Sequence, residues 1–343
     1  MKYGQRLTEH LASFAEGAPR ERALRIAMDM KTRDFVEAYG LGAWTNIVAD
    51  QAHQRAMAQY QAMPLCWNKL VYIDPTISDF KAHNILAAGA FGDLDAVDEL
   101  EGYPMDTLSD KTAAITVQKY GKIFGISMEA RVNDATGLLS RSTSELYRAA
   151  GRTLEKHVLQ TMIRDAPTVT ETGLSLFHAN HSNDVGTAGG YSRAELISAI
   201  TLMCNQTGID GEQLHLMPKY LLVPTSKQFE ALEDVNSASK LVVDRNTSAT
   251  AATFAGVGNE LRGFNMEVIP SPYLTTDACY LVADPAMNEG LALGFLNNQQ
   301  TPELLVENQE SGWAFSHDAI RTKVRHIYGS TWADYRCIAR FGV

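Results

Sequence analysis

Two histidines three residues apart form the pattern in this sequence that comes nearest to a metal site. His178 and His181 lie in the segment Phe177–Asn183. Neutral imidazoles at this spacing can bind Zn²⁺, with Asp184 or His157 as a further ligand. A zinc site needs three or four converging ligands, and the sequence supplies only two. We therefore favour the alternative, a polar loop whose His and Asn side chains hydrogen-bond the backbone at a tight turn. The sequence predicts no metal and no cofactor.

Other motifs that could support catalysis are incomplete. Gly256-Val257-Gly258 lacks the third glycine of a dinucleotide-binding loop, and no phosphate-binding loop follows a strand pattern. Ser127 lacks the second glycine of a nucleophile elbow. His157 falls within a long helical pattern, where a packed or hydrogen-bonded histidine is more common than a catalytic base. We therefore predict no catalytic residues and no enzymatic activity.

The charge balance limits the classes of partner. The chain of 343 residues has 40 acidic and 30 basic side chains, which gives a net charge of -10. This argues against a dedicated nucleic-acid binder, because such a protein needs a net basic face. No segment approaches the roughly 18 apolar residues that cross a membrane. The four cysteines form no CxxC pair, which is typical of buried thiols in a reducing compartment.

The N-terminal region predicts helices without a core of their own. Helical spacing indicates three helices before Pro64, interrupted at Gly17–Pro19 and again at Gly40 and Gly42. Their apolar stripes are narrow, and such helices need a neighbour to be stable. We expect an extended arm here.

A projecting two-stranded loop is predicted next. Strand patterns occur at Trp67–Ile73, Phe80–Leu86, Thr112–Lys119 and Lys122–Met128. Residues 93–110 are rich in acidic side chains and offer no core face. A loop of this length is unusual in a compact domain unless it is functional, so we interpret it as a second arm.

The clearest helix is predicted over Ser142–Asp165. Ser142 and Glu145 have the spacing of a capping box, and Pro167 follows the end. This length is unusual for a globular protein. Glu155 is predicted to lie on the polar side of this helix, together with the basic residues of the helix. The face at helical spacing is predicted to contain Leu146, Ala149, Ala150, Leu154, His157, Val158 and Met162.

Mixed strands and helices follow, without regular βαβ alternation. A capping box at Ser192 and Glu195 starts one helix, and Thr225 starts another. Residues 237–258 are rich in Ser, Thr, Ala and Asn and predict a mobile loop. This order indicates an α+β fold. Strands are predicted at Tyr220–Val223, Met266–Ile269, Cys279–Val282, Leu291–Phe295 and Ile320–Tyr328, with the last strand at an edge or on the surface.

The order of these elements resembles that of tailed-phage major capsid proteins with the Hong Kong 97 fold. Local motifs are similar to those of the Mu-like major head subunit branch, in order, over roughly residues 30–343. The motifs are Leu176-Phe177-His178-Ala-Asn-His181-Ser-Asn183, Tyr220-Leu-Leu-Val-Pro224, Cys279-Tyr280-Leu281-Val-Ala283-Asp284-Pro285, Phe295-Leu296 with Pro302 and Glu307, Lys323-Val324-Arg325, Gly329, Asp334-Tyr-Arg336 and Gly342.

The resemblance implies a division of the chain into four parts. They are an N-terminal arm (1–74), an extended two-stranded E-loop (75–128), a peripheral domain with a long spine helix (129–185 plus 311–343) and an axial domain (186–310). The arm and the E-loop would lie across neighbouring subunits. Candidates for these inter-subunit contacts are Phe80, Lys81, His83, Tyr103, Lys111, Arg321, Lys323 and Arg325. Candidates for a helix face toward the shell interior are Arg141, Arg148, Arg152 and Lys156.

The resemblance also implies the function. The chain would self-assemble into hexamers and pentamers of an icosahedral shell that encloses phage double-stranded DNA without reading its sequence. Implied partners are other copies of the chain, portal and scaffold proteins, and a cement protein as a further candidate, with no membrane. The location would be the virion capsid, after assembly in the cytoplasm of the bacterial host. The alternatives are an encapsulin-like nanocompartment shell and, less favoured, a metal-dependent hydrolase using His178 and His181. A third is an ordinary soluble oligomeric binding protein that would stop at a small closed ring.

Overall fold

A computed structural model describes residues 57–88, 96–98, 103, 110–127, 129–130, 133, 138–186, 190–208, 211–244, 253–274, 277–286, 288–307, 317 and 319–342. The predicted helices before residue 57 and most of the acidic segment 93–110 lie outside these residues. Residues 57–61 are helical, as expected for the end of the third predicted helix.

The described residues contain both helices and strands. The α-helices are α1 (Trp67–Leu70), α2 (Leu138–Lys156), α3 (Arg193–Cys204) and α4 (Gln228–Asn236), and α2 continues into a π-helical segment, His157–Arg164. The strands are β1 (Tyr72–Asp74), β2 (His83–Ala88), β3 (Asp110–Ile115), β4 (Gln118–Ser127), β5 (Pro218–Pro224), β6 (Ser239–Asp244), β7 (Thr253–Gly258), β8 (Glu267–Ser271), β9 (Cys279–Ala283), β10 (Leu291–Phe295), β11 (Glu303–Val306), β12 (Ala319–Trp332) and β13 (Ile338–Phe341).

The chain divides into two compact units. The first consists of Met1–Ala62, Ile123–Arg148 and Leu304–Lys323, and the second of Met63–Lys122, Ala149–Glu303 and Val324–Val343. Within the first unit, Tyr60 meets Tyr147 edge to face at 6.5 Å, and the Glu307 N–H donates to the Arg321 carbonyl. The main hydrophobic cores lie in the second unit.

A four-stranded sheet of order β13-β9-β5-β8 separates two of these cores. Strand β5 shows how: Tyr220 and Leu222 face one core, whereas Leu221 and Val223 face the other. This is the period of two that a strand buried on both faces requires. Helices α3 and α4 cover one face, and the π-helical segment contributes to the core on the opposite face.

A second sheet has the order β1-β10-β12-β11, with β4 also paired to β12. Strand β1 runs parallel to β10, and β10 runs antiparallel to β12. Because β12 pairs with three strands, the prediction that it lies at an edge or on the surface is wrong. Its cationic residues Arg321, Lys323 and Arg325 are half-buried, so alternating charge did not indicate an exposed edge.

The two-stranded loop is present and its base belongs to the core. Strands β2 and β3 pair antiparallel from His83–Ile115 to Ala88–Asp110. We call β2, β3 and the residues between them the arm. We define the arm root as the cluster of buried residues at its base, together with the sheet residues they contact. The arm root contains Ile77, Ile85, Ala113, Ile115, Val117, Ala292 and Ala333.

Two glycines allow the arm root to approach the sheet closely. Gly294 of β10 and Gly329 of β12 are register partners. A Cβ on Gly294 would overlap the Ile77 side chain, and one on Gly329 would overlap the carbonyl oxygen of Thr116. Only glycine leaves room for a backbone at this distance.

Several sequence predictions need correction. Trp67–Leu70 is a helix rather than the start of a strand, because a distant carboxylate accepts hydrogen bonds from its first N–H groups. The long helix begins at Leu138, so Ser142 and Glu145 lie inside it and do not cap it. Residues 239–244 and 253–258 form an antiparallel hairpin rather than a loop, because each holds a short apolar run (Leu241–Val243 and Phe254–Val257) that suits a strand, within a region that is polar only on average.

Strands with strongly apolar runs were predicted well. Leu291–Phe295 is a strand at the predicted bounds, and Tyr220–Val223 and Cys279–Val282 lie within slightly longer strands. Ser192 accepts a hydrogen bond from the Glu195 N–H at the start of α3, which confirms that cap. Within the described part of the chain, the helices are too short or too polar to cross a membrane.

Replacing Gly329 should destabilise the fold. We expect Gly329→Ala to lower the free energy of unfolding by at least about 2 kcal/mol, because the new Cβ meets fixed backbone. Gly263→Ala is the control, because nothing lies within 4 Å of a Cβ there. Urea denaturation of both variants checks this. Equal midpoints for the two variants would contradict the close approach.

Candidate functional site

The His178/His181 segment is a hydrogen-bonded loop. His181 is buried, with Nδ1 donating to the Leu176 carbonyl at 3.0 Å and Nε2 accepting from the Thr172 hydroxyl at 2.8 Å. Its ring stacks on Tyr335 at 3.9 Å. Because both ring nitrogens are engaged, His181 is not available as a metal ligand. His178 accepts from the Asn180 N–H through Nδ1. The structure therefore confirms the polar-loop interpretation.

The neighbouring residues join this loop to the end of the chain. Asn183 donates to the carbonyls of Leu176 and Tyr335. Arg340 forms an ion pair with Asp184 at 2.5 Å. Within the described ranges, no three His, Cys, Asp or Glu side chains are grouped so that they could hold a metal ion.

A buried carboxylate anchors the chain where it enters α1. Glu155 is 5% exposed and accepts hydrogen bonds from the N–H groups of Cys66 and Trp67, each at 3.1 Å. The Cys66 thiol also donates to it at 2.6 Å. Burial and the adjacent carboxylate raise the pKa of Cys66, so the thiol stays protonated. The assignment of Glu155 to a solvent-facing side is therefore wrong, because these three donors compensate its burial.

An aromatic cluster links the long helix, β4 and β12. Tyr120 stacks on Tyr328 at 4.3 Å, and His157 meets Tyr328 edge-on at 5.3 Å. His157 Nε2 lies 2.7 Å from the Ser330 hydroxyl, and burial lowers its pKa. His157 is thus a packed, hydrogen-bonded helical histidine, as the sequence predicted.

His326 extends the cluster. Its ring is 4% exposed and stacks on Phe295 at 5.4 Å, and its Nε2 donates to the Gln300 carbonyl at 3.1 Å. Nδ1 is buried and has no hydrogen-bond partner among the described residues. Burial lowers the pKa of His326 to about 4, because a second proton would place an unpaired charge in this environment.

A cleft of about 260 Å³ lies beside this cluster. Phe80 and Lys119 form one wall, with the Lys119 Nζ 5.6 Å from the centre of the Phe80 ring. An ion pair between Arg325 and Glu303 lies in the lining. Phe80 is 48% exposed, which is high for so large an apolar side chain. The cleft therefore combines an apolar wall with cationic groups.

The remaining predicted contact residues are dispersed. Tyr103 is 86% exposed. Lys81 is exposed, with its Nζ 3.9 Å from Asp79, and His83 Nε2 lies 2.8 Å from the same carboxylate. Arg321 and Lys323 are half-buried on β12. Nothing is described of the side chain of Lys111. Of the eight candidates, the cleft brings together only Phe80 and Arg325.

The basic residues of the long helix differ in their surroundings. Arg148 is paired with Glu145 at 3.1 Å, and Arg152 is exposed. The Lys156 Nζ lies 5.7 Å from the centre of the Tyr273 ring. The side chain of Arg141 lies outside the described residues. That these residues face a shell interior stays a prediction.

Sequence reasoning missed Glu155, Lys119 and the connection of His326 to a cleft. Lys119 and His326 each lie within a sequence pattern typical of a strand. Their position in the lining of the cleft depends on residues that are distant in the sequence. For Glu155, the available signal was its position immediately after buried Leu154, on the border of the predicted apolar face.

Comparisons with known proteins show one family by sequence and a shared fold by structure. A family model described as phage capsid protein matches residues 110–341, which is more than half of the chain. Among solved structures, the capsid of cyanophage P-SCSP1u is 12% identical with a TM-score of 0.54, over 80% of this chain and 87% of that chain. The capsid asymmetric unit of cyanophage Pam1 is 12% identical with a TM-score of 0.52, over 80% of this chain and 89% of that chain. No curated protein sequence matches this chain.

The two histidines of the polar loop should behave as structural residues. We expect His181→Ala to cost about 2–4 kcal/mol, because it removes two hydrogen bonds and a stacked ring from a buried position. His178→Ala should cost about 1 kcal/mol or less, since it loses one cap-like bond. Thermal melts with and without EDTA measure both effects. A melting temperature of the wild type that falls with EDTA would instead support a metal site.

Stability should decrease in mild acid through His326. Because its folded pKa of about 4 is below the ordinary value of 6.5, the unfolded chain takes up this proton first as the pH falls. The contribution of neutral His326 to the free energy of unfolding is present above pH 6.5 and is lost as the pH falls from 6.5 to 4. The loss amounts to about 2 kcal/mol at pH 5.

His326→Gln isolates this effect, because the amide can still donate to Gln300 and does not titrate. We expect the melting temperature to fall less between pH 7.5 and pH 5 in this variant than in the wild type. Parallel pH profiles for the two proteins would show that His326 is not the group responsible.

Proposed function

This chain belongs to the phage capsid protein family, and from that premise we propose how it builds a shell. It is a structural major capsid protein of the virion, with a Hong Kong 97-type fold, and it associates with copies of itself. The match of the family model to residues 110–341 is the observation that carries this conclusion. The encapsulin-like and hydrolase alternatives are not favoured, and the engaged ring nitrogens of His181 further weigh against the second.

The finer proposal is a shell of hexamers and pentamers around double-stranded DNA. Assembly would take place in the host cytoplasm with portal and scaffold proteins, and a cement protein is a further candidate partner. The chain would have no catalytic activity. A net charge of -10 supports a shell that encloses DNA without binding it tightly.

We propose that the arm makes inter-subunit contacts. Its root is fixed in the core of its own subunit, while Tyr103 between its strands is 86% exposed. A large aromatic side chain in this position gains free energy only by burial against another surface. The proposed domain limits, 75–128 for this E-loop and 186–310 for the axial domain, follow from the same resemblance.

Particle formation tests this function. Light scattering with negative-stain images should show closed particles, or pentamer and hexamer rings, for the purified wild type. Tyr103→Ser should reduce the yield of particles at least about tenfold, because burying one aromatic ring contributes on the order of 1.5–3 kcal/mol at each contact.

Tyr103→Phe is the matched control, since it keeps the ring, and we expect it to assemble as the wild type does. The melting temperature of the unassembled protein should be equal in all three proteins. A Tyr103→Ser variant that assembles with wild-type yield would remove the arm contact from the proposal. A stable monomer or dimer of the wild type at high concentration, even with scaffold protein, would contradict shell formation itself.

A further inference from the structure

The long helix ends in a segment with a different hydrogen-bond register. From His157 to Arg164 it is π-helical, and the Asp165 N–H donates to the Gln160 carbonyl, five residues earlier, at 2.9 Å. π-helical hydrogen bonding is rare and usually limited to a single turn, often at functional sites. A segment of eight residues therefore requires a local cause.

One cause is the spacing of buried residues. They occur in adjacent pairs that recur every four residues. An α-helix takes about 3.6 residues per turn, so a four-residue repeat drifts around it in one direction. A helix with i→i+5 bonds takes more than four residues per turn, so the same four-residue repeat drifts around it in the opposite direction. The change to π near His157 thus keeps all pairs on one core. The pairs are Leu154 and Glu155, Val158 and Leu159, and Met162 and Ile163.

The second cause is the hydrogen bond that the backbone carbonyl of Met162 accepts. Ala166 has a φ of 46°, which is the left-handed conformation that commonly ends a helix. In the usual cap of this kind, the next N–H would donate to the Met162 carbonyl, but that residue is Pro167, which has no N–H. The indole Nε1 of Trp332 donates to it instead, at 2.8 Å and in a buried position.

An α-helical register would satisfy the same carbonyl without Trp332. In that register the Asp165 N–H would donate to Thr161, and the Ala166 N–H to Met162, as in the simpler left-handed cap. In the π register that the structure shows, the Ala166 N–H makes only a long hydrogen bond of 3.4 Å to the Ile163 carbonyl. The two registers therefore differ in whether Trp332 donates, and its bond favours the π form.

The strand that carries Trp332 also contacts the arm root. On β12, Ser330 lies two residues before Trp332 and contacts His157, the first residue of the π segment. Tyr328, two residues earlier again, stacks on Tyr120, and the backbone at Gly329 adjoins Thr116 and Val117. One end of β12 thus contacts both ends of the π segment and the base of the arm.

We propose that the segment His157–Arg164 is a two-register switch, held in the π form by Trp332 and coupled through β12 to the arm root. A shift to the α register releases Trp332 and moves the end of β12, on which Tyr120 and Val117 rest. The coupling is reciprocal, so a change at the arm root alters the helix register by the same free energy. This inference uses contacts inside one subunit and does not depend on the proposed shell geometry.

Hydrogen exchange of the full chain tests the coupling. In Trp332→Phe, which removes only the donor and part of the ring, we expect the exchange rates of amides 161–166 to change, and that of Ala166 to slow about tenfold or more, because its N–H gains the Met162 carbonyl in the α register. Amides 112–121, which include the arm-root residues Ala113, Ile115 and Val117 and the start of β4, should change together with them. The wild type and the variants are compared in the same assembly state, matched by light scattering.

Trp67→Phe is the matched control. Trp67 lies in the same hydrophobic core and packs on Phe295, so the ring change is the same without loss of the Met162 bond. We expect neither amide group to change in this variant. A change at the helix end alone would overturn the coupling, and either no change at both places or faster exchange at Ala166 would overturn the switch. Equal changes in the control would show general loosening of the core and overturn both.

A reciprocal variant keeps the test open if Trp332→Phe does not fold. Tyr120→Ala removes the stack on Tyr328, whereas Tyr120→Phe keeps it. We expect exchange at amides 161–166 to change in Tyr120→Ala and to remain at the wild-type level in Tyr120→Phe. An unchanged helix end in Tyr120→Ala would overturn the coupling without any use of Trp332.

Discussion

The close passage of the arm root past Gly294 and Gly329 is the constraint on which the rest of the subunit depends. These glycines are cross-strand partners, and the space beside them is taken by Ile77 and by the Thr116 backbone. Dense packing of this kind transmits displacement because an interior resists compression. The base of the arm is therefore continuous with the core, and the position of this base is set before the subunit meets a neighbour.

Buried polar groups add to apolar packing in fixing the position of several segments. Glu155 positions the chain at α1 through three donors. Arg336, itself buried, lies 3.4 Å from Glu171 and donates to the Thr207 carbonyl at 2.8 Å. Burying such charges is costly, so these groups specify geometry more than they add stability. A subunit with preset surfaces loses less conformational entropy when it joins a shell, which favours assembly from many weak contacts.

The sequence predicted the elements that are determined by neighbouring residues, and it missed those that depend on contacts with residues far along the chain. Strands such as Leu291–Phe295 were found because a continuous apolar run needs no partner to be recognised. Helix α1 was missed because its cap, Glu155, lies 88 residues further along the chain. The burial of Glu155 was missed because the donors that compensate it, on Cys66 and Trp67, lie 89 and 88 residues away in the sequence. The candidates for inter-subunit contacts came from the resemblance. The structure shows what surrounds some of them, such as Phe80 and Arg325 in the cleft, but it does not test their role between subunits.

The electrostatics of the long helix bear on how such a shell would hold DNA. The affinity of a protein for DNA grows with the number of phosphates that its free cations neutralise. Among the described basic residues of this helix, Arg148 is paired with Glu145, the Lys156 Nζ lies over an aromatic ring, and Arg152 is exposed. If this helix face is turned toward the shell interior, as proposed, these two contacts reduce the number of counterions that it releases on binding DNA, and the net charge of -10 opposes binding further. Retention of DNA would therefore rest on closure of the shell and not on affinity, and DNA could leave without the breaking of many ionic contacts.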